Sequence, residues 1–117
     1  MTRVKESGDC KHSPKNRFVQ NIAIVIETGK VSVTGVGENT VWRQAGGQEI
    51  VGEDAIHAAM KHVAAPKTVT VDHAITHGKV GATNGVTVMA NGRKRRFCYV
   101  VEFTSTKGDK VASIQSY

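Results

Sequence analysis

Between Thr68 and Tyr117 apolar and polar residues alternate, and the alternation breaks only at Gly78-Lys79, Asn91-Gly92 and Lys107-Gly108-Asp109. A period of two sends successive side chains to opposite faces of a strand, and Asn-Gly is a strong hairpin signal. This half of the chain therefore reads as a meander of four strands: Thr68 to Thr76, Val80 to Ala90, Arg95 to Ser105 and Val111 to Tyr117. In the first, Val69, Val71, His73 and Ile75 share a face opposite Thr68, Thr70, Asp72 and Ala74. In the second, Ala82, Asn84, Val86 and Val88 oppose Gly81, Thr83, Gly85 and Thr87. The third presents Phe97, Tyr99, Val101 and Phe103 together.

The first half carries the helical period. Ser13 can cap a helix whose first position is Pro14, because proline lacks only a donor that a first turn leaves unpaired. Phe18, Val19, Ile22, Ala23, Val25 and Ile26 then recur at three- and four-residue spacing, and Gly29 supplies the stop. The β-branched run from Ile22 to Glu27 lowers intrinsic propensity, so packing must hold this helix. Lys30 to Asn39 fits no period, and Gly35 and Gly37 argue against a stable helix there. Thr40 to Ala45 reads as a short strand, Gly46-Gly47 as a turn and Gln48 to Val51 as a returning strand. A second helix opens at Gly52-Glu53-Asp54, its acids placed where the dipole favours them, and ends before Pro66. Its apolar face holds Ala55, Ile56, Ala59, Met60 and Val63, with His57 on the exposed side. Helices followed by an antiparallel meander give an α+β fold with helices packed on one face of a curved sheet.

At 117 residues the chain suits one domain, read as 13–117 behind a flexible polar lead at 1–12. Apolar content of 39% beside 22% charged residues excludes a disordered chain. No apolar run approaches the roughly 20 residues of a membrane span, and the first dozen residues lack a secretory stretch, so a soluble cytoplasmic protein is expected. The net charge of +6 is local: without Arg93-Lys94-Arg95-Arg96 it falls to +2. That run follows a hairpin turn and reads as a solvated end, so nucleic acid is not expected as a partner. Cys10 reads as a surface thiol and Cys98 as a buried one, with no metal-binding spacing among the cysteines and histidines.

The order of elements carries a resemblance. FVQNIAIVIETG, then VWRQAGGQEIVGEDAIHAAM, VDHAITHGKVGATNGV and FCYVVEFTSTKGDKVASIQSY together resemble the SnoaL-like group of the nuclear transport factor 2-like superfamily, over about residues 13–117. The resemblance implies a cystatin-like cone or half-barrel, an apolar pocket against the concave sheet, and a homodimer through the outer sheet face. Ketosteroid-isomerase relatives place one Asp on the Trp-bearing strand and another on the strand before the last. Carried onto this chain, those positions are Arg43 and Val101, and neither can do the work of a carboxylate. The Asp-Arg-Asp arrangement of limonene epoxide hydrolase relatives is also unmatched, since Asp72 and Glu102 lie opposite the apolar rows.

If the apolar rows line that cone, the pocket would hold Trp42, Arg43, Val86, Phe97, Val101 and Ile114, with a polar set of His73, His77, Asn84 and Tyr99. His73 would act as general base or acid, its ordinary pKa lying near neutrality, while Tyr99 and Asn84 polarise a carbonyl. Trp42 can alternatively pack at the dimer face. The expected partner is a small apolar molecule held in that pocket, with turnover left open: an enzyme here would be an isomerase, cyclase or hydrolase acting on a carbonyl or epoxide compound without metal or cofactor. The alternative is a non-catalytic binding or assembly module that uses the outer sheet face, and behind it an anion or nucleic-acid binder using the Arg93 to Arg96 turn.

Overall fold

The computed structural model describes residues 2–29, 34–61 and 64–117. In chain order the elements are β1 (Arg3–Lys5), a 3-10 turn (Gly8–Cys10), α1 (Pro14–Thr28), β2 (Val36–Arg43), β3 (Glu49–Val51), α2 (Glu53–Met60), β4 (Thr68–His77), β5 (Val80–Val88), β6 (Lys94–Phe103) and β7 (Val111–Ser116). The strands form one sheet in the order β1-β4-β5-β6-β7-β2-β3. The fold is α+β as expected, and β4 to β7 make the antiparallel meander. The sheet as a whole is mixed, because β1 joins β4 and β2 joins β7 in parallel. Neither parallel partner could be read from a local turn, since parallel pairs are joined only through long connections.

α1 begins where its capping residues dictate. Ser13 accepts from the Asn16 amide at 3.2 Å, Pro14 takes the first position, and Gly29 closes the helix at φ 69°. Val19, Ile22, Ala23 and Ile26 are buried against β4 and β5. α2 starts at Gly52, φ 94°, and buries Ile56 and Met60; Val63 and His62 lie outside the described residues. Lys30 to Asn39 splits in two: Val36 to Asn39 belong to β2, while 30–33 lie outside the described residues. Gly35 sits at φ 86°, where a Cβ would come within 2.6 Å of the Asp109 carbonyl oxygen.

Two strand faces differ from the sequence reading. In β4 the pairing steps from Val71↔Gly85 to His73↔Asn84. Asp72 is therefore an extra residue, and a bulge of this kind exchanges the faces beyond it. Ala74 becomes buried, while His73 and Ile75 turn to the outer face. In β5 the buried row is Gly81, Thr83, Gly85 and Thr87, and Asn84 is exposed while Val86 is only half-buried on the outer face. The reason is steric. A Cβ on Gly81 would lie 2.5 Å from Val19 Cγ2, and one on Gly85 would lie 2.6 Å from Phe97 Cζ. Small residues face inward because α1 and the β6 aromatics fill that space. The third strand is as expected, with Phe97, Tyr99, Val101 and Phe103 all buried.

The N-terminal stretch is built into the sheet edge: β1 pairs with β4, and the Ser7 amide donates to Gln20 Oε1 at 2.7 Å. The two thiols are the reverse of the sequence reading. Cys10 is 2% exposed, tucked under its 3-10 turn, while Cys98 is half-buried because it alternates out of phase with Phe97 and Tyr99. Among the described residues no helix is long and apolar enough to cross a membrane.

Candidate functional site

The polar centre of the helix-covered face is a residue the sequence reading passed over. Glu27 lies in the last turn of α1, four residues beyond Ala23 and eight beyond Val19, so helical geometry carries it onto the buried stripe. Its side chain is 2% exposed. Oε1 accepts from Thr87 Oγ1 at 2.7 Å and from Arg95 Nη2 at 2.6 Å. Oε2 accepts from the Tyr99 hydroxyl. Burial pushes the Tyr99 phenol well above its ordinary pKa, and the adjoining Glu27 charge pushes the same way. Tyr99 is therefore held neutral, as a donor. Arg95 differs from the other three in being 58% exposed: its stem passes inward beside Thr87, its register partner, and its head stays within reach of solvent.

A carboxylate taken out of water costs several kcal/mol unless charge and hydrogen bonds compensate it. Here one cation and two hydroxyls do so, drawn from β5 and β6. The clue in the sequence was a glutamate in helical phase with Val19 and Ala23.

Of the residues expected at the site, Trp42, Phe97, Tyr99, Val101 and Ile114 share the core cluster. Trp42 donates its Nε1–H to Ser116 Oγ at 2.8 Å. Arg43 is exposed and paired with Glu49 at 2.9 Å. His77 is exposed at the end of β4. His73 and Asn84, cross-strand partners, both face outward. His73 Nδ1 lies 3.1 Å from Asp9 Oδ2, with its side chain 71% exposed. That hydrogen bond, with one from the Ala74 amide, holds the Asp9 carboxyl below its usual pKa. His57 is half-buried rather than exposed. Its Nε2 is shut from solvent and has no hydrogen-bond partner among the described residues. Asp72 and Glu102 are exposed, as expected. Among the described residues no three His, Cys, Asp or Glu side chains are grouped to hold a metal ion.

On the outer face His73, Ile75, Ala82, Asn84 and Cys98 border a shallow hollow of about 260 Å³. Ile75 is 60% exposed and Val80 46%.

No protein-family model matches the chain, and no curated protein matches it by sequence. Solved structures do match. An NTF2-like protein of unknown function from Burkholderia xenovorans LB400 superposes with a TM-score of 0.71 at 19% identity, over 88% of this chain and 81% of that one. An NTF2-like protein of unknown function from Mesorhizobium loti gives 0.67 at 12% identity over 97% of both chains. A de novo designed protein with a curved β-sheet gives 0.64 at 14% identity, over 89% of this chain and 84% of the design. At such identities the likeness is one of architecture and carries no activity with it. The chain has the nuclear transport factor 2-like fold.

Proposed function

We propose that this protein binds a small apolar carbonyl compound on the helix-covered side of its sheet and moves a proton within it, with Glu27 as the base. The observation that carries this reading is the buried Glu27 carboxylate, joined to neutral Tyr99 and to an Arg95 still open to solvent. A bound ketone would set its oxygen against the outward N–H groups of Arg95. Glu27, 2% exposed in the free protein, is uncovered on binding and takes a proton from the carbon beside the carbonyl; the electron pair moves to oxygen, and the cation holds the resulting enolate. Return of the proton to a different carbon isomerises the compound with no net oxidation. Tyr99 and Thr87 orient the carboxylate throughout.

Deuterium uptake by cyclic ketones and enones in D2O, followed by proton NMR, tests the assignment. Wild type is expected to exchange the α-protons of at least one compound class. Glu27→Gln should slow that exchange by about 10²–10⁴-fold, while His73→Ala leaves it unchanged. Exchange that survives in Glu27→Gln would remove Glu27 from the role.

A second reading rests on a different observation, the exposed Ile75 and Val80 beside the outer hollow. It is a homodimer or assembly contact through the outer sheet face. Sedimentation velocity of wild type against Ile75→Lys distinguishes it, since only a face-to-face contact is lost in the variant.

A further inference from the structure

The basic run Arg93 to Arg96 is divided by its strand. Arg95 turns inward to Glu27, while Lys94 and Arg96 point to the outer face opposite Val88 and Val86. The same two rows continue across β5 and β4 to Thr68 and Thr70, and from there to Arg3 and Lys5 on β1. The outer face at this end of the sheet therefore carries two parallel rows, Lys94-Val88-Thr68-Arg3 and Arg96-Val86-Thr70-Lys5. Each is cationic at both ends and short-chained between them. All four cations are exposed, and none has an ion pair among the described residues. Lys67 and Arg93 continue the charge past the ends of β4 and β6. The nearest acids are occupied or set aside: Glu6 faces Arg17 and Gln20, Asp9 binds His73, and Asp72 stands at the bulge beyond the second row.

We infer that this end of the outer face binds the two phosphate backbones of duplex DNA. Three strand spacings separate β1 from β6, about 14 Å, close to the roughly 12 Å width of a major groove. Within each column the cations are two residues apart, about 6.7 Å, equal to about two 3.4 Å rises along the duplex axis. Thr and Val between the columns present no long side chain to obstruct the approach, and the rows hold no aromatic on which an unpaired base could stack. The contacts go to phosphate, so binding is independent of sequence. This face is the reverse side of the sheet from Glu27, whose partners Thr87 and Arg95 lie between the row residues and point the other way.

Binding of a 20-base-pair duplex by the full chain is measured by fluorescence anisotropy between 50 and 200 mM salt. Four phosphate contacts give a log–log slope of about −3.6, an affinity loss of about 150-fold over that range. Lys94→Gln with Arg96→Gln should halve the slope, and Arg3→Gln with Lys5→Gln should do the same. Lys107→Gln with Lys110→Gln removes equal charge at the opposite end of the sheet and should leave the slope unchanged. Circular dichroism and melting confirm that each variant is folded. The inference is overturned if wild type fails to bind duplex at 50 mM salt, if the control pair lowers the slope as much as the row variants, or if the chain binds phosphatidylserine vesicles and not duplex.

Discussion

Replacing Tyr99 with Phe removes one oxygen atom from the interior and changes little in shape. The hydroxyl is the donor to Glu27 Oε2, and a hydrogen bond to a charged group contributes about 1.5–3 kcal/mol. Leaving a buried charge wholly unpaired would cost about 3–5 kcal/mol. That limit is not reached, because Thr87 and Arg95 still serve the other oxygen. The expected loss is therefore about 2–3 kcal/mol. For 117 residues the unfolding entropy corresponds to about 0.25 kcal/mol per degree, so the melting temperature should fall by about 8–12 °C. Urea unfolding at pH 7 gives the free energy directly. A double-mutant cycle with Glu27→Ala isolates the pair, since in that background the same Tyr99→Phe change deletes a hydroxyl whose acceptor is already gone. Coupling of about 2 kcal/mol is expected. A cost below 1 kcal/mol for Tyr99→Phe, or coupling below 0.5, would refute the account of Glu27 as a charge held by its donors. The same contact has a pH signature. A phenol whose pKa is raised by folding keeps its proton above pH 10 while the unfolded chain loses it, so stability should decline as pH rises past about 10. Tyr99→Phe should flatten that decline.

Gly85→Ala should prevent folding or cost several kcal/mol, because its Cβ would lie 2.0 Å from the Thr70 carbonyl oxygen. Gly46→Ala, with open space around it, should be neutral or stabilising by about 0.4–1 kcal/mol; urea titration reads both. Asp9→Asn should destabilise at neutral pH, where the lowered carboxyl is charged and bound to His73 and the Ala74 amide. That gap should begin to narrow as pH falls below the unfolded aspartate value of about 3.9 and close as pH passes the lowered folded value, and a gap that does not narrow at all below about pH 4 would argue against the pairing. In the native protein one thiol should react quickly with a disulfide reagent, Cys98, while buried Cys10 waits for opening. Burial also pushes the Cys10 thiol up. Mass mapping of the labelled peptide identifies which sulfur reacted.

The element order was legible because its signals are local: Ser13-Pro14 and Gly29 bracket α1, and Asn91-Gly92 marks the β5–β6 turn. Strand faces were legible only where one side is plainly apolar, as in Phe97 to Phe103. In β5 both sides hold small or β-branched residues, and the approach of α1 decides which points inward. That is a tertiary fact with no local mark. The β4 bulge likewise adds a residue whose presence no turn chemistry announces. The same two effects moved His73 and Asn84 out of the expected pocket. Tyr99 kept its place because its row was unambiguous. Its partner Glu27 was overlooked because helical periodicity was counted on apolar residues alone.

The long-range pairing of the outer strands sets a constraint on how the chain can acquire its structure. β1 finds its neighbour only at Thr68 to Thr70, and β2 finds β7 only at Val111 to Gln115. As the chain leaves the ribosome, everything up to Lys67 emerges before β4, the neighbour of β1, and β2 can pair with nothing beyond the three-residue β3. Ordered growth from the N-terminus is therefore closed to this topology. The hairpins of the C-terminal meander are the local contacts that form fast, and the early half must be recruited onto them afterwards. A nascent chain stalled short of Val111 would carry β2 with one side unpaired, the species most exposed to misassociation during synthesis.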